Sequence, residues 1–139
     1  MANLTAPRNT PEYVDNTFVT ITAGGTIYEG GMVAVNSSGA AVPAAASAGL
    51  KVVGRAENQV TSGGIVKIRR GVFGWDNDTT NAVVSTDVGK PAYVVDDHTV
   101  TATADSTQGA TNIVAGIIKG LDENGLVIVS NVPLTAFNA

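Results

Sequence analysis

The sequence predicts an all-β protein: a single small β-barrel or sandwich of short antiparallel strands with an extended N-terminal arm. Valine, isoleucine and threonine account for 44 of the 139 residues, against 5 leucines, and such a β-branched excess is typical of strands. Turn signals rich in Gly, Asn, Asp and Ser recur about every 8–12 residues, the spacing found in sandwiches and small barrels. We expect little helix, and one β-rich domain over residues 17–139.

Residues 1–16 form the predicted arm, because they show no periodicity and contain two prolines. A segment of this kind is extended and becomes ordered only when something holds it. A partner-binding arm and a loose terminus both fit the pattern. If the arm binds a partner, the residues that we expect in the contact are Pro7, Arg8, Pro11 and Tyr13.

From residue 17 onward, short apolar runs alternate with turns. The hairpin turn at 37–39 and the hairpin tip at 96–98 are the clearest turn signals, because each separates two apolar runs. Residues 43–50 are small and fit either a loop or one helical turn. The predicted strands are residues 18–22, 26–28, 32–36, 40–42, 51–57, 65–74, 92–95, 99–103, 112–119 and 126–129.

The segment 65–77 is the centre of the sequence pattern. Apolar and basic residues alternate along it, and a period of two predicts a strand with one buried and one solvated face. The alternation slips at Arg70–Gly71, where a glycine inside a strand pattern predicts a β-bulge. The apolar set is Ile65, Ile68 and Val72, and the basic set is Lys67, Arg69 and Arg70.

The same segment supplies a candidate contact surface. It contains the only tryptophan and three of the eight basic residues, and aromatic residues and arginine dominate protein interfaces. The alternative is that the two aromatic residues are core anchors. The predicted contact residues here are Arg69, Arg70, Phe73 and Trp75.

No motif for catalysis is present in the sequence. There are no cysteines, which excludes disulfides and thiolate metal sites, and one histidine is too few for a zinc site. His98 lies at a predicted hairpin tip without a Gly-x-Ser-x-Gly elbow to accompany it. We therefore predict no catalytic residue, no cofactor and no enzymatic activity.

Calcium is the one metal whose oxygen ligands occur in clusters, at Asp76–Asp78 and at Asp122–Gly125. Neither cluster has the spaced loop with a closing glutamate of a calcium-binding hand, and turn propensity alone explains both. We predict no metal site, with calcium near Asp76, Asp78 or Asp122 left open.

Charge and hydropathy restrict the possible partners. A net charge of −4 argues against general nucleic-acid binding. No apolar run approaches the ~18 residues of a membrane span, and no signal peptide is recognisable at the start. Charged residues make up only 14% of the chain, below the ~25% of average domains, which suits a protein covered by neighbours.

Four stretches, in this order, carry a resemblance to a known family: residues 25–36, GTIYEGGMVAVN; 50–57, LKVVGRAE; 70–77, RGVFGWDN; and 88–100 together with 114–118. With these stretches the chain resembles the head decoration, or cement, proteins of tailed bacteriophages. The resemblance implies a virion structural protein, made in the cytoplasm of the bacterial host, that binds and stabilises the outer capsid surface. It further implies the major capsid protein as a partner, a homo-oligomer with a trimer favoured over a dimer, and an arm lying along the capsid.

Two other functions are consistent with the sequence. A carbohydrate- or cell-surface-binding β module displayed on the virion could stack sugars on Trp75 and Tyr93, although aromatic residues make up only 5% of the chain. A small hydrolase would need a nucleophile beside a base, and no such pair can be nominated.

Overall fold

A computed structural model describes residues 2–3, 5–9, 18–103 and 113–131, and these residues confirm the all-β prediction. Within them the only helical element is a 3₁₀ turn at Ser85–Asp87. The strands are β1 (Val19–Thr22), β2 (Met32–Val35), β3 (Ala41–Pro43), β4 (Lys51–Ala56), β5 (Ile65–Arg69), β6 (Val72–Asn77), β7 (Pro91–Val94), β8 (Thr99–Thr101), β9 (Val114–Leu121) and β10 (Val127–Ser130).

Residues 18–71, the N-terminal half, form a five-stranded sheet in the order β1-β5-β4-β2-β3. All of its neighbouring strands are antiparallel. A single parallel bridge between Ala23 and Ala41 brings the end of β1 to β3, so the two outer strands of the sheet approach each other at one point.

In the C-terminal half, residues 72–103 and 113–131, the strands form a closed barrel in the cyclic order β6-β10-β9-β7-β8. Four of its pairings are antiparallel. The parallel pairing of β6 with β8, through Asp76–Thr99 and Asn77–Val100, completes the ring.

The two halves follow the same strand plan, since β1 to β5 in one correspond in order to β6 to β10 in the other. Their hydrogen bonds correspond as well. Gly24 N donates to Ala41 O at 2.8 Å where the end of β1 approaches β3. At the matching place in the barrel, where β6 pairs with β8, Asp78 N donates to Val100 O at 3.0 Å. The hairpin bonds from Asn36 N to Ala40 O, 3.0 Å, and from Val95 N to Thr99 O, 2.9 Å, correspond in the same way.

A glycine at a bulge occupies the same place in each half. The pairing of β2 with β4 skips a residue beside Gly54, and that of β7 with β9 skips one beside Gly116. The backbone φ angles are +156° and +157°. A Cβ atom at Gly54 would run into the carbonyl oxygen of Arg69, and one at Gly116 into that of Ser130, so only glycine lets these backbones approach so closely.

The core has two parts that meet on either side of β2. Val33 faces the core of the N-terminal half, whereas Met32 and Ala34 belong to the core of the C-terminal barrel. Because both faces of β2 are covered, its sequence is a continuous apolar run rather than an alternation. The N-terminal core is Ala23, Ile27, Val33, Ala41, Ala56, Val66 and Ile68.

The single bulged strand predicted over residues 65–74 is wrong. β5 ends at Arg69 and β6 begins at Val72, and the two strands belong to different halves, so Arg70–Gly71 is a crossover. On β5 the buried residues are Val66 and Ile68. Ile65 and Val72 are 56% and 55% exposed. The adjacent pair Ile65–Val66 leaves the phase of the alternation ambiguous, which is why the sequence pattern misplaced Ile65.

Substitution of either bulge glycine is expected to lower the free energy of unfolding. Gly54→Ala and Gly116→Ala should each cost more than ~1 kcal/mol, because the new Cβ meets a backbone oxygen of the adjacent strand and the positive φ adds strain. Gly120→Ala is the matched control, since Gly120 also lies in β9 and a Cβ there has no atom within 4 Å. Urea denaturation followed by fluorescence would measure all three; equal stabilities for the Gly116 and Gly120 variants would contradict this role for the bulge.

Candidate contact surface

The outer face of β1 and β5 carries an exposed group of aromatic, apolar and basic side chains, which we call the basic ribbon: Phe18, Ile65, Lys67 and Arg69. Period-two alternation on β5 points residues 65, 67 and 69 outward while Val66 and Ile68 are buried. Thr20 lies opposite Lys67 in the register of β1 with β5. The position of the ribbon therefore follows from the alternation of side chains along β5 and from the register of β5 with β1.

Phe18 organises the ribbon. The Lys67 Nζ lies 4.6 Å from the centroid of the Phe18 ring, and the Arg69 Cζ lies 5.8 Å from it. Each cation–π contact at an exposed site is worth about 0.5–1 kcal/mol. Phe18 remains 45% exposed, so its ring contacts two cations and still exposes apolar surface to solvent.

The cations of the ribbon lack anionic partners among the described residues. Arg69 lies directly opposite Arg55 on β4, and like charges at opposed positions destabilise a sheet. Arg55 is neutralised by Glu57, with its Nη2 2.6 Å from the Glu57 Oε2, and it stacks 4.2 Å from the Phe73 centroid. Among the described residues, neither Lys67 nor Arg69 forms an ion pair. An acidic surface brought to this face would supply the missing charge.

The prediction that Trp75 belongs to an exposed contact surface is wrong. Trp75 is 7% exposed and belongs to the barrel core, because alternation along β6 turns residues 73, 75 and 77 inward. Phe73 is half-buried and packs edge-on against Trp75, with 6.2 Å between centroids and 71° between ring planes. The core-anchor alternative therefore holds for Trp75, and Phe73 is covered on one side by Arg55.

The remaining predicted contact residues are spread over three places. Arg69 lies in the ribbon, whereas Arg70 lies in the crossover, half-buried, with a buried Nε that has no hydrogen-bond partner among the described residues. Pro7 and Arg8 are exposed and without regular structure. Pro11 and Tyr13 lie outside the described residues. Sequence reasoning missed Phe18 and Ile65, whose place in the ribbon depends on the β1–β5 register.

The hairpin tip between β7 and β8 holds a histidine–carboxylate group. The His98 Nδ1 lies 2.9 Å from the Asp97 Oδ1 and 3.1 Å from the Asp96 Oδ1. The hydrogen bond with Asp97, aided by the charges of Asp96, Asp97 and Asp76 and opposed by partial desolvation, raises the pKa of His98 above 6.5. The ring is exposed, and its contacts are those of a charged hairpin tip.

In the two acidic clusters considered for calcium, Asp78 and Asp122 accept hydrogen bonds from protein groups. The buried Asp78 accepts hydrogen bonds from the backbone N–H of Thr80 at 3.3 Å and of Asn81 at 3.1 Å, and from the Thr101 hydroxyl at 3.0 Å. Burial by itself would raise the pKa of Asp78, but these hydrogen bonds outweigh it and the pKa is lowered. The Asp122 Oδ1 accepts from the N–H groups of Asn124 and Leu126, at 2.9 and 2.8 Å.

The raised pKa of His98 predicts a pH-dependent hairpin. The hydrogen bond to Asp97 favours the charged imidazolium, so the stability that it adds is complete below pH 6.5, the unfolded value, and is lost as the pH rises through the folded pKa. NMR titration of the His98 ring should show Asp97→Asn lowering its pKa, while Asp87→Asn, at a distant turn, leaves it unchanged. An Asp97 variant with the wild-type pKa would refute the assignment.

The lowered pKa of Asp78 predicts the opposite pH dependence. Asp78→Asn should lower the free energy of unfolding at pH 7 by about 1–3 kcal/mol, because charge-assisted hydrogen bonds to a buried carboxylate are lost. The difference from wild type should shrink as the pH falls below ~4 and through the folded pKa. Glu123→Gln, at an exposed position, is the control and should change stability by less than ~0.5 kcal/mol. A pH-independent difference would contradict the prediction.

In the part of the chain that the structure describes, no helix is long and apolar enough to cross a membrane. Comparison of the chain with protein-family models, with curated proteins and with solved structures finds no match.

Proposed function

We propose that this protein is a virion structural protein that binds the outer surface of a bacteriophage capsid and stabilises it as a decoration protein. Its partners in this proposal are the major capsid protein and further copies of itself, in a trimer rather than a dimer, and it has no enzymatic activity. The sequence stretches that resemble the decoration family supply β2, β4, β6 and β7, most of β8, and the first part of β9, so the resemblance covers strands of both halves.

The observation that carries the proposal is the exposed basic ribbon. Phe18 and Ile65 expose apolar surface, and Lys67 and Arg69 lack carboxylate partners among the described residues. Aromatic and arginine side chains on one surface are typical of macromolecular contacts. This chemistry favours a protein whose surface is completed by assembly with other macromolecules.

The arm supplies the second element of the proposal. It ends two residues before Phe18 in the sequence, and Pro7 and Arg8, which lie among its described residues, are exposed. An extended segment can add main-chain hydrogen bonds to an exposed sheet edge on a partner. Many copies on one shell multiply the effect of each weak attachment, so a short arm is sufficient to hold an oligomer on a capsid.

The burial of Trp75 weakens the alternative of a carbohydrate-binding module. Sugar stacking needs an exposed aromatic face, and the single tryptophan of the chain lies in the barrel core. Tyr93, the other residue proposed for stacking, is half-buried on β7. We therefore make the capsid surface, not a glycan, the proposed partner.

Deletion of residues 2–16 tests the role of the arm. The truncated protein should keep the circular dichroism spectrum of the full chain, because every described strand lies after residue 18. Its attachment to expanded empty phage shells, measured by co-sedimentation, should weaken by about tenfold or more, since main-chain and side-chain contacts are lost together. Substitution of Asn9 and Thr10 by alanine, which keeps the arm length, is the control.

Two results would count against the proposal in different ways. Unchanged attachment of the truncated protein would remove the arm from the mechanism while leaving decoration intact. A full-length protein that fails to co-sediment with any shell in a panel of expanded phage capsids would overturn the proposed function itself.

A further inference from the structure

The charge of the chain is divided between its two halves. Residues 18–71 contain five Lys or Arg and two Glu, whereas residues 72–131 contain two Lys and eight Asp or Glu. Although the net charge of the whole chain is only −4, the N-terminal half is basic and the C-terminal half is strongly acidic. Oppositely charged surfaces attract each other between molecules.

The shared strand plan shows that the fold itself does not need the cations of the ribbon. Lys67 lies opposite Thr20 in the N-terminal half, and Ile128 lies opposite Gly74 at the matching position of the barrel. Arg69 likewise corresponds to Ser130. Arg69 lies opposite Arg55, the residue after Gly54, and Ser130 lies opposite Ile117, the residue after Gly116. The barrel is built without a charge at either position, so the shared strand plan does not require the charges of Lys67 and Arg69.

The acidic counterpart lies at one end of the barrel, and we call it the acidic end: Asp76, Asp96, Asp97 and Asp122. Asp76 N donates to His98 O at 2.8 Å, which joins β6 to the Asp96–His98 tip. Asp76 also lines an open cleft with Asn124 and Gly125 of the Asp122 turn. Apart from His98, no cation pairs with these four carboxylates within the described ranges.

The two lysines of the C-terminal half, Lys90 and Lys119, do not neutralise the acidic end. Lys90 lies 3.7 Å from Asp87 and is engaged there. Lys119 is exposed on β9 and forms no ion pair among the described residues. The acidic end thus keeps an excess of negative charge that complements Lys67 and Arg69 of the basic ribbon, which form no ion pair among the described residues.

We propose that the basic ribbon of one copy docks onto the acidic end of the next copy, in a head-to-tail contact. Lys67 and Arg69 pair with carboxylates of the acidic end, and Phe18 and Ile65 lose their exposed apolar surface. A contact between two different surfaces closes into a ring when its rotation allows. This inference rests on the homo-oligomeric state in the proposed function and names the surfaces that build it.

Charge reversal tests the contact without any capsid. In sedimentation velocity over a range of concentrations, wild type should associate, and Arg69→Glu should weaken association by about tenfold or more, because like charges at an interface are strongly unfavourable. Lys51→Glu is the matched control, since Lys51 is exposed at the start of β4, outside the ribbon, and makes the same change in net charge. Raised salt should weaken the wild-type assembly through screening.

Mixing two variants tests the head-to-tail geometry. Arg69→Glu keeps an intact acidic end, and Asp76→Lys keeps an intact ribbon. At a protein concentration at which each variant is monomeric alone, an equimolar mixture should associate, because one pair of intact surfaces remains and the two charge-reversed surfaces carry opposite charges. A mixture that stays monomeric would overturn the head-to-tail contact.

The remaining outcomes separate this inference from the proposed function. An Arg69→Glu protein that associates like wild type would overturn the contact and leave the homo-oligomer in place. A wild-type protein that stays monomeric at every concentration would overturn both the contact and the homo-oligomer. Co-sedimentation of that monomer with expanded shells would still support decoration, and its failure would overturn decoration separately.

Discussion

The close approach of two backbones at Gly54 and at Gly116 is the constraint on which both halves depend. At each glycine the neighbouring strand places a carbonyl oxygen where a side chain would begin, and the bulge there bends one strand towards its partner. In the N-terminal half that carbonyl belongs to Arg69, which lies beside Arg55 in the adjoining register. The close packing of β4 against β5 therefore also fixes an arginine on the outer face, so the geometry of the fold and that of the contact surface have one origin.

The two faces of β2 in the N-terminal sheet pack into different cores. One face of β2 contributes Val33 to the core of its own half, and the other contributes Met32 and Ala34 to the core of the barrel. A backbone hydrogen bond of 2.7 Å from Met32 N to Asp97 O adds a polar connection between the halves. With β2 covered on both sides, the outer surface of β1 and β5 is the part of the sheet that is left for solvent or for a partner.

The strand-and-turn character of the chain could be predicted from sequence because it depends on local chemistry: β-branched residues in strands, and Asn, Asp and Gly in turns. The boundary between the halves could not, since Arg70–Gly71 has the same local pattern as a bulge and only long-range pairing assigns β5 and β6 to different sheets. Period two placed Lys67 and Arg69 on the solvated face correctly, but it could not show that Phe18 would reach them from another strand. Trp75 was misjudged because burial depends on which side of β6 the barrel closes. The repeated strand plan was missed because matched positions, such as Val33 and Ala92, share little beyond small or apolar character. The clearest sign of the repeat in the sequence is the pair of glycines at positions 54 and 116.

The repeated plan has a consequence for how the chain folds as it is synthesised. Every strand pair in the described residues joins two strands of the same half, so the N-terminal sheet can complete its hydrogen bonds once β5 has left the ribosome. Such pairings within one half keep the sequence separations short, which favours rapid folding. Until the barrel follows, however, Met32, Ala34 and Val52 have no core to enter, and exposed apolar surface of that kind promotes aggregation of folding intermediates. The surface most in need of protection during synthesis is thus one that the finished molecule never exposes.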